Sequence, residues 1–250
     1  MSGAANAAAP VVAGVDGCPG GWIAVFRRAD GSGTPSVRVV KTFRDVLDGP
    51  EQPAVVAVDM PIGLPERIGP GGRGPERLVR PLLGPRQSSV FSVPARSAVE
   101  APDYAAACAA ALATSEPPRK VSKQAFHLFP KIREIDALLV ADAGLRDRVF
   151  EVHPEVAFWR LAGGRPMATP KKVKGAVNPE GIAERRALLA RHGFDPAFLA
   201  ARPPRGAALD DYVDACVCAV IAGRILAGTA EAFPAEDLRD ARGLRIAIHA

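Results

Sequence analysis

The sequence predicts a mixed α/β fold. A five-stranded sheet has its first three strands antiparallel, helices on both faces, and a long helical insert between the fourth and fifth strands. Three observations carry this expectation. Two short runs, residues 11–16 (VVAGVD) and 54–59 (AVVAVD), are apolar until each ends in an acid, and continuous apolar strands suit a sheet covered on both faces, the habit of parallel strands. The first three strand patterns are joined by turns too short for a crossover, which makes them an antiparallel meander. Helical patterns dominate the rest of the chain, and the connection rules place such helices on both faces of the sheet.

The elements follow in order. Residues 11–16 form the first strand, and the turn Gly17-Cys18-Pro19-Gly20-Gly21 leads into a second at 22–28. DGSGTP at 30–35 is a strong turn signal before a third strand at 36–41. Thr42 can cap a short helix over 43–47 that Gly49 and Pro50 end, and 54–59 is the fourth strand. Residues 60–120 are rich in Pro, Gly and Arg and give a weak pattern, with short helices at 76–83 and 104–113. Helical spacing returns over 122–140, where Pro130 should interrupt or start the helix. A fifth strand at 148–153 alternates Phe150 and Val152 against Glu151 and His153. Pro154 opens a helix, a Lys-bearing loop covers 163–177, and Asn178-Pro179 starts a helix to about His192. A long helix spans 208–228, and 244–249 reads as a final edge strand. The expected organisation is a disordered tail at 1–10 and one domain over 11–250, with the insert at about 60–147.

Composition excludes several classes. Of 250 residues, 48% are apolar and 24% charged, as in an ordinary globular protein. The 24 Gly and 24 Pro stay below the level of low-complexity chains. The Ala-rich start lacks a basic region and a strong apolar core, so it does not read as a signal peptide, and no apolar stretch is long enough to span a bilayer. Cys18, Cys108, Cys216 and Cys218 form no C-x-x-C pair. Cys216 and Cys218 point to different faces of a helix, and this usage suits a reducing cytoplasm. The net charge of +5 is concentrated: residues 67–96 hold six arginines and one acid, Glu76, and the remaining charges cancel. A local basic excess argues for an anionic partner, although Arg-for-Lys usage across the chain also fits a GC-rich genome.

The acids carry the chemistry. If the strands ending in Asp16 and Asp59 are parallel neighbours, both acids leave the same sheet edge with backbones about 5 Å apart, at the carboxyl edge where open α/β sheets bind ligands. Two carboxylates this close repel, and a divalent cation such as Mg²⁺, which takes oxygen ligands, relieves the conflict. Alternatively each acid only caps its turn. Asp210, Asp211 and Asp214 share a face of the long helix. The helix dipole accounts for the first two, less well for Asp214 beside an apolar run. Glu151, His153 and Glu155 read equally as ligands or proton-handling groups and as structural ion pairs.

The motifs together resemble a family. Gly14-Val15-Asp16-Gly17-Cys18-Pro19-Gly20-Gly21-Trp22, Val58-Asp59-Met60-Pro61-Ile62-Gly63-Leu64-Pro65, Gly84-Pro85-Arg86 with Ser89-Val90-Phe91 and Pro94-Ala95-Arg96, Glu151-Val152-His153-Pro154-Glu155, and Asp210-Asp211 with Asp214-Ala215 are similar to the predicted RNase H-like nucleases grouped as domain of unknown function 429. The resemblance runs from about residue 11 to the C-terminus. It implies an RNase H-like fold with metal-binding acids on the first strand, the fourth strand and the last helix, places matched by Asp16, Asp59 and Asp211 or Asp214. It implies hydrolysis of nucleic-acid phosphodiesters with two Mg²⁺ or Mn²⁺ ions about 4 Å apart, with Glu151 and His153 as further catalytic candidates and His153 as a possible proton shuttle. The insert would then overhang the site, with Arg86 and Arg96 contacting phosphate. Lys123, Lys131, Arg133 and the lysines of 171–174, Lys172 among them, extend the track.

Two other readings compete. One is a phosphotransferase or ATPase of the actin and sugar-kinase type, with residues 17–21 holding a phosphate, though Pro61 and Pro65 break any second phosphate turn. The other is a catalytically silent nucleic-acid-binding module, whose binding would be salt-sensitive.

Overall fold

The structure, a computed structural model, describes residues 8–250. Residues 1–7 of the expected tail lie outside the described residues. The carbonyls of Ala9 and Pro10 accept hydrogen bonds from Arg28 Nη1 and the Ala29 amide, both at 2.9 Å. The chain then runs through β1 (Val11–Cys18), β2 (Gly21–Arg28), β3 (Ser36–Val40), α1 (Arg44–Leu47) and β4 (Val55–Val58). The insert carries α2 (Pro75–Val79), a 3₁₀ stretch over Arg80–Ser89, α3 (Arg96–Val99), α4 (Tyr104–Thr114) and α5 (Lys123–Ala141). After it come β5 (Val149–Glu151), α6 (Pro154–Leu161), a hairpin of β6 (Lys172–Val173) and β7 (Ala176–Val177), α7 (Pro179–Arg191) and α8 (Pro196–Ala200). The long α9 (Leu209–Leu226), β8 (Ala232–Phe233) and β9 (Ile248–His249) finish the chain.

The main sheet has five strands in the order β3-β2-β1-β4-β5. β1 pairs antiparallel with β2 and β2 with β3, whereas β1–β4 and β4–β5 are parallel. The expected meander and parallel neighbours are both present. Period-two alternation splits the strand residues between two apolar layers. Ala13, Val15, Trp22, Ala24, Val56 and Val58 face α1, α5 and the insert. Val12, Ile23, Val25, Val55 and Ala57 face α6, α7 and α9. Gly14 shares the second face, and a Cβ on it would strike the backbone of α9 at Ala215 and Ala219. Only glycine lets α9 lie this close to the central strand.

Three expectations are corrected. Pro130 neither starts nor interrupts its helix: it sits exposed in the interior of α5, which runs unbroken from Lys123 to Ala141. The fifth strand ends at Glu151. The C-terminal segment forms only the short β9, which pairs with β8 in a sheet of its own and meets the main sheet through a single bridge, Val152 to His249. Among the described residues, no helix is long and apolar enough to cross a membrane.

Candidate metal centre

Strand register builds the site. Gly14 pairs with Ala57 and Val15 with Val58, and the Asp59 amide donates to the Val15 carbonyl at 2.9 Å. Asp16 and Asp59 therefore leave neighbouring parallel strands side by side. Alternation puts both on the face that α9 covers, continuing Val12-Gly14 and Val55-Ala57. Helix α9, seated on Gly14, brings Asp214 over them. One carboxylate oxygen from each of Asp16, Asp59 and Asp214 lies within 4.8 Å of the other two. These three acids could hold a metal ion.

The electrostatics are those of a site in need of positive charge. Burial, then the charges of Asp59 and Asp214, push the Asp16 carboxyl well above the usual range. Burial and Asp214 do the same to Asp59. Burial raises Asp214 to about 6 despite the Lys171 ammonium on its Oδ2. The remaining oxygen, Asp214 Oδ1, is buried without a partner. Asp16 Oδ1 accepts the Gly17 amide at 2.6 Å, which orients the carboxylate. Three hard oxygen donors, close together and short of hydrogen bonds, fit a divalent cation.

Other expected site residues lie elsewhere or are committed. Asp211 stays outside this trio: its carboxylate accepts the Ala208 amide at 2.9 Å and caps α9. Asp210 pairs with Lys172 at 2.5 Å, which engages that lysine. Glu151 is not a ligand. Arg73 grips it at 2.6 and 3.1 Å, and it accepts the Ile62 amide at 2.7 Å, because a carboxylate buried under the insert needs a counter-charge. Glu155 is likewise held by Arg185 at 2.7 and 2.8 Å. His153 lines a small cavity together with Asp59, Phe91 and Val90. Its Nε2 lies 3.3 Å from the Ser89 carbonyl, its Nδ1 is buried without a partner, and burial lowers its pKa.

The basic track shrinks. Arg96 is 4% exposed and bonded to Asp136 at 2.8 and 3.0 Å and to Asp240 at 2.7 Å, so it cannot reach a phosphate. Arg73 is buried between Glu76 and Glu151. Arg80 is spent on the Gly71 and Val90 carbonyls and Ser92. Lys131 donates to the Gly21 carbonyl at 2.5 Å with its ammonium 4.4 Å from the Trp22 ring centre, bracing the turn after Asp16. Lys123 is exposed at the start of α5, and Arg86 is half-buried with its Nε unpartnered. With Arg67 donating to the Ala113 carbonyl at 3.2 Å, four of the six arginines that made the insert basic thus neutralise acids or cap carbonyls.

Sequence reasoning missed the position of Lys171. A lysine in a polar loop carries no spacing signal. What fixes it is a set of contacts with the start of the following helix: Asn178 on the Pro170 and Lys171 carbonyls, Glu184 on the Ala168 and Thr169 amides, and Arg185 on the Thr169 carbonyl.

The profile of one family, described as "Protein of unknown function (DUF429)", matches residues 14–239, a span that contains all three acids. The chain belongs to this family. No curated protein and no solved structure matches it. The family match covers β1 to the residues just before the C-terminal strand, so the DUF429 unit includes both the sheet and the insert.

Proposed function

We propose that the protein is an RNase H-like nuclease that hydrolyses nucleic-acid phosphodiesters with Mg²⁺ or Mn²⁺. The observation that carries the reading is the meeting of Asp16, Asp59 and Asp214 at the carboxyl edge of two parallel central strands, from β1, the end of β4 and α9. All three ligands are hard oxygens, the set that magnesium and manganese favour over softer metals. A bound divalent cation would supply a water of lowered pKa and stabilise charge on the leaving oxygen. Asp16, Asp59 and Asp214 hold and orient that charge. Lys171 presents a fixed ammonium beside them, and α9 and the sheet keep bulk water from the buried side. Arg86, Lys123 and Lys174 are cations of the expected phosphate track that no acid engages among the described residues. The four cysteines are free and buried, which fits a reducing compartment such as the cytoplasm.

The phosphotransferase reading loses support at both loops. The Ile62 and Leu64 amides after β4 are taken by Glu151 and Asp240, and Pro61 and Pro65 have none to offer. In the first turn the Gly17 amide is bonded to Asp16 and that of Gly20 to the Gly206 carbonyl. A silent binding module would have no need of three buried, mutually repelling acids. Metal-stripped protein should cleave none of a panel of single-stranded, duplex, hybrid and branched substrates, and added Mg²⁺ or Mn²⁺ should restore cleavage of at least one. Asp16→Asn should abolish it. Absence of cleavage across the whole panel with either metal would sink the nuclease reading.

A further inference from the structure

We infer that the Lys171 ammonium stands where a second metal ion would sit, so that the centre takes a single divalent cation per chain. The inference rests on the metal-centre reading above and departs from the two-ion scheme that the family resemblance implies. Three observations support it independently.

The first is the seating of the lysine. Its ammonium pairs with Asp214 Oδ2, and its side chain is 18% exposed, against 47% for Lys172. The segment that carries it is bolted to α7. Glu184 accepts the Ala168 and Thr169 amides at 2.8 and 2.9 Å. Asn178 donates to the Pro170 carbonyl at 3.0 Å from its side chain and to the Lys171 carbonyl at 2.7 Å from its amide. Gly181 leaves room for this: a Cβ there would collide with the Pro170 carbonyl. Surface lysines rarely receive such support, because ordering a long side chain costs conformational entropy.

The second is the supply of ligands. A divalent ion of this kind keeps several waters but needs one or two carboxylates as well, and the Lys171 ammonium occupies Asp214 Oδ2, an oxygen that a second ion would have to share. Of the further acids nearby, Glu151 is held by Arg73, Glu155 by Arg185 and Asp211 by the Ala208 amide, and Asp210 gives one oxygen to Lys172 and keeps Oδ1 buried without a partner. The third is charge. Three carboxylates, one ammonium and one divalent cation sum to zero, whereas a second divalent ion would leave a buried excess of positive charge, which is costly in a poorly solvated site. Lys171 is thus a positioning residue that orients Asp214 and supplies the second positive charge without a second metal.

The test counts ions. Full-length, metal-stripped protein is titrated with Mn²⁺ alone by calorimetry, and the bound ion is read by electron paramagnetic resonance. The wild type should bind one Mn²⁺ per chain with the spectrum of an isolated ion. Lys171→Met, with its native fold checked by circular dichroism, should bind two, with the broadened spectrum of spin-coupled ions about 4 Å apart. Lys171→Arg should remain at one. Two ions in the wild type, or one in folded Lys171→Met, overturns the inference and leaves the metal centre standing. No Mn²⁺ in any of the proteins removes the metal centre itself. If Lys171→Met does not fold, Lys171→Gln takes its place, and the wild-type count remains decisive.

Discussion

Removing one acid from the centre should stabilise the metal-free protein. Asp16 faces Asp59 and Asp214 with oxygens no more than 4.8 Å apart. At an effective dielectric of about 20, each ionised pair at that distance repels by about 3 kcal/mol. Partial protonation and the Lys171 ammonium already relieve some of this in the wild type. Asp16→Asn, which keeps an oxygen to accept the Gly17 amide, should therefore gain about 2 kcal/mol in a chelating buffer at neutral pH. For a chain of this size that is roughly 4–8 °C in Tm. The sign with pH follows from the direction of the shift. A carboxyl whose folded pKa lies above its unfolded value costs stability at neutral pH, and the cost fades as pH falls through the folded value. The advantage of the variant should accordingly shrink on acidification. Saturating Mn²⁺ reverses the order. At one hundred times its Kd a ligand adds about 2.7 kcal/mol to the state that binds it, and the variant, lacking one ligand, should gain little. Differential scanning fluorimetry of both proteins, with chelator and with Mn²⁺, should show curves that exchange order. A natively folded Asp16→Asn that melts below the wild type in chelator, or gains as much from Mn²⁺, would refute the reasoning.

Other perturbations separate the site from its supports. Gly14→Ala forces a methyl group into the α9 backbone and should cost about 1–3 kcal/mol or more, read as a lower urea midpoint; an unchanged midpoint would mean that α9 does not press on β1. Arg73→Met leaves Glu151 and Glu76 buried without their partner and should cost about 3–5 kcal/mol, while adding Glu151→Gln should recover part of the loss in chemical denaturation. His249, 6% exposed, is pushed down to about 4 by burial. Its neutral form is the native one, so its contribution is intact above about 6.5 and is lost as pH falls toward 4, by about 3 kcal/mol in all. His249→Gln should flatten the acid limb of a Tm-against-pH plot, and an unaltered limb would place the acid sensitivity elsewhere. Arg86→Ala should weaken nucleic-acid binding at unchanged Tm, whereas Arg96→Ala should lower Tm through Asp136 and Asp240. The opposite pattern would restore Arg96 to the substrate track.

The sheet was legible because both of its faces are covered. Residues 11–16 and 54–59 had to be apolar on both sides, and the acid that ends each run marks where the cover stops. The partnership of Asp16 with Asp59 follows from that reading once the two strands are parallel neighbours. The choice between Asp211 and Asp214 did not follow, since both lie on one face of a helix whose rotation is set by Gly14, a contact across about two hundred residues of sequence. The insert was opaque for a related reason. Arg73 and Arg96 look like surface charge until Glu151, Asp136 and Asp240 arrive from distant segments to bury them. Local pattern carries burial periodicity well and says little about which distant acid a given arginine will meet. Lys171 shows the same limit.

The seat of α9 on Gly14 also sets the order in which the molecule can be completed. β1 and β4 are made early, but the face they show to α9 stays bare until residues near 214 leave the ribosome. Through most of synthesis the nascent chain therefore carries an uncovered apolar surface around Val12, Ile23, Val25 and Ala57, the kind of surface that chaperones hold and that aggregates if left alone. Asp16 and Asp59 meanwhile stay open to water, where repulsion between them is weak. Docking of the last long helix seals that face and gathers the three acids in one event, so a chain truncated before α9 should be both sticky and unable to assemble the centre.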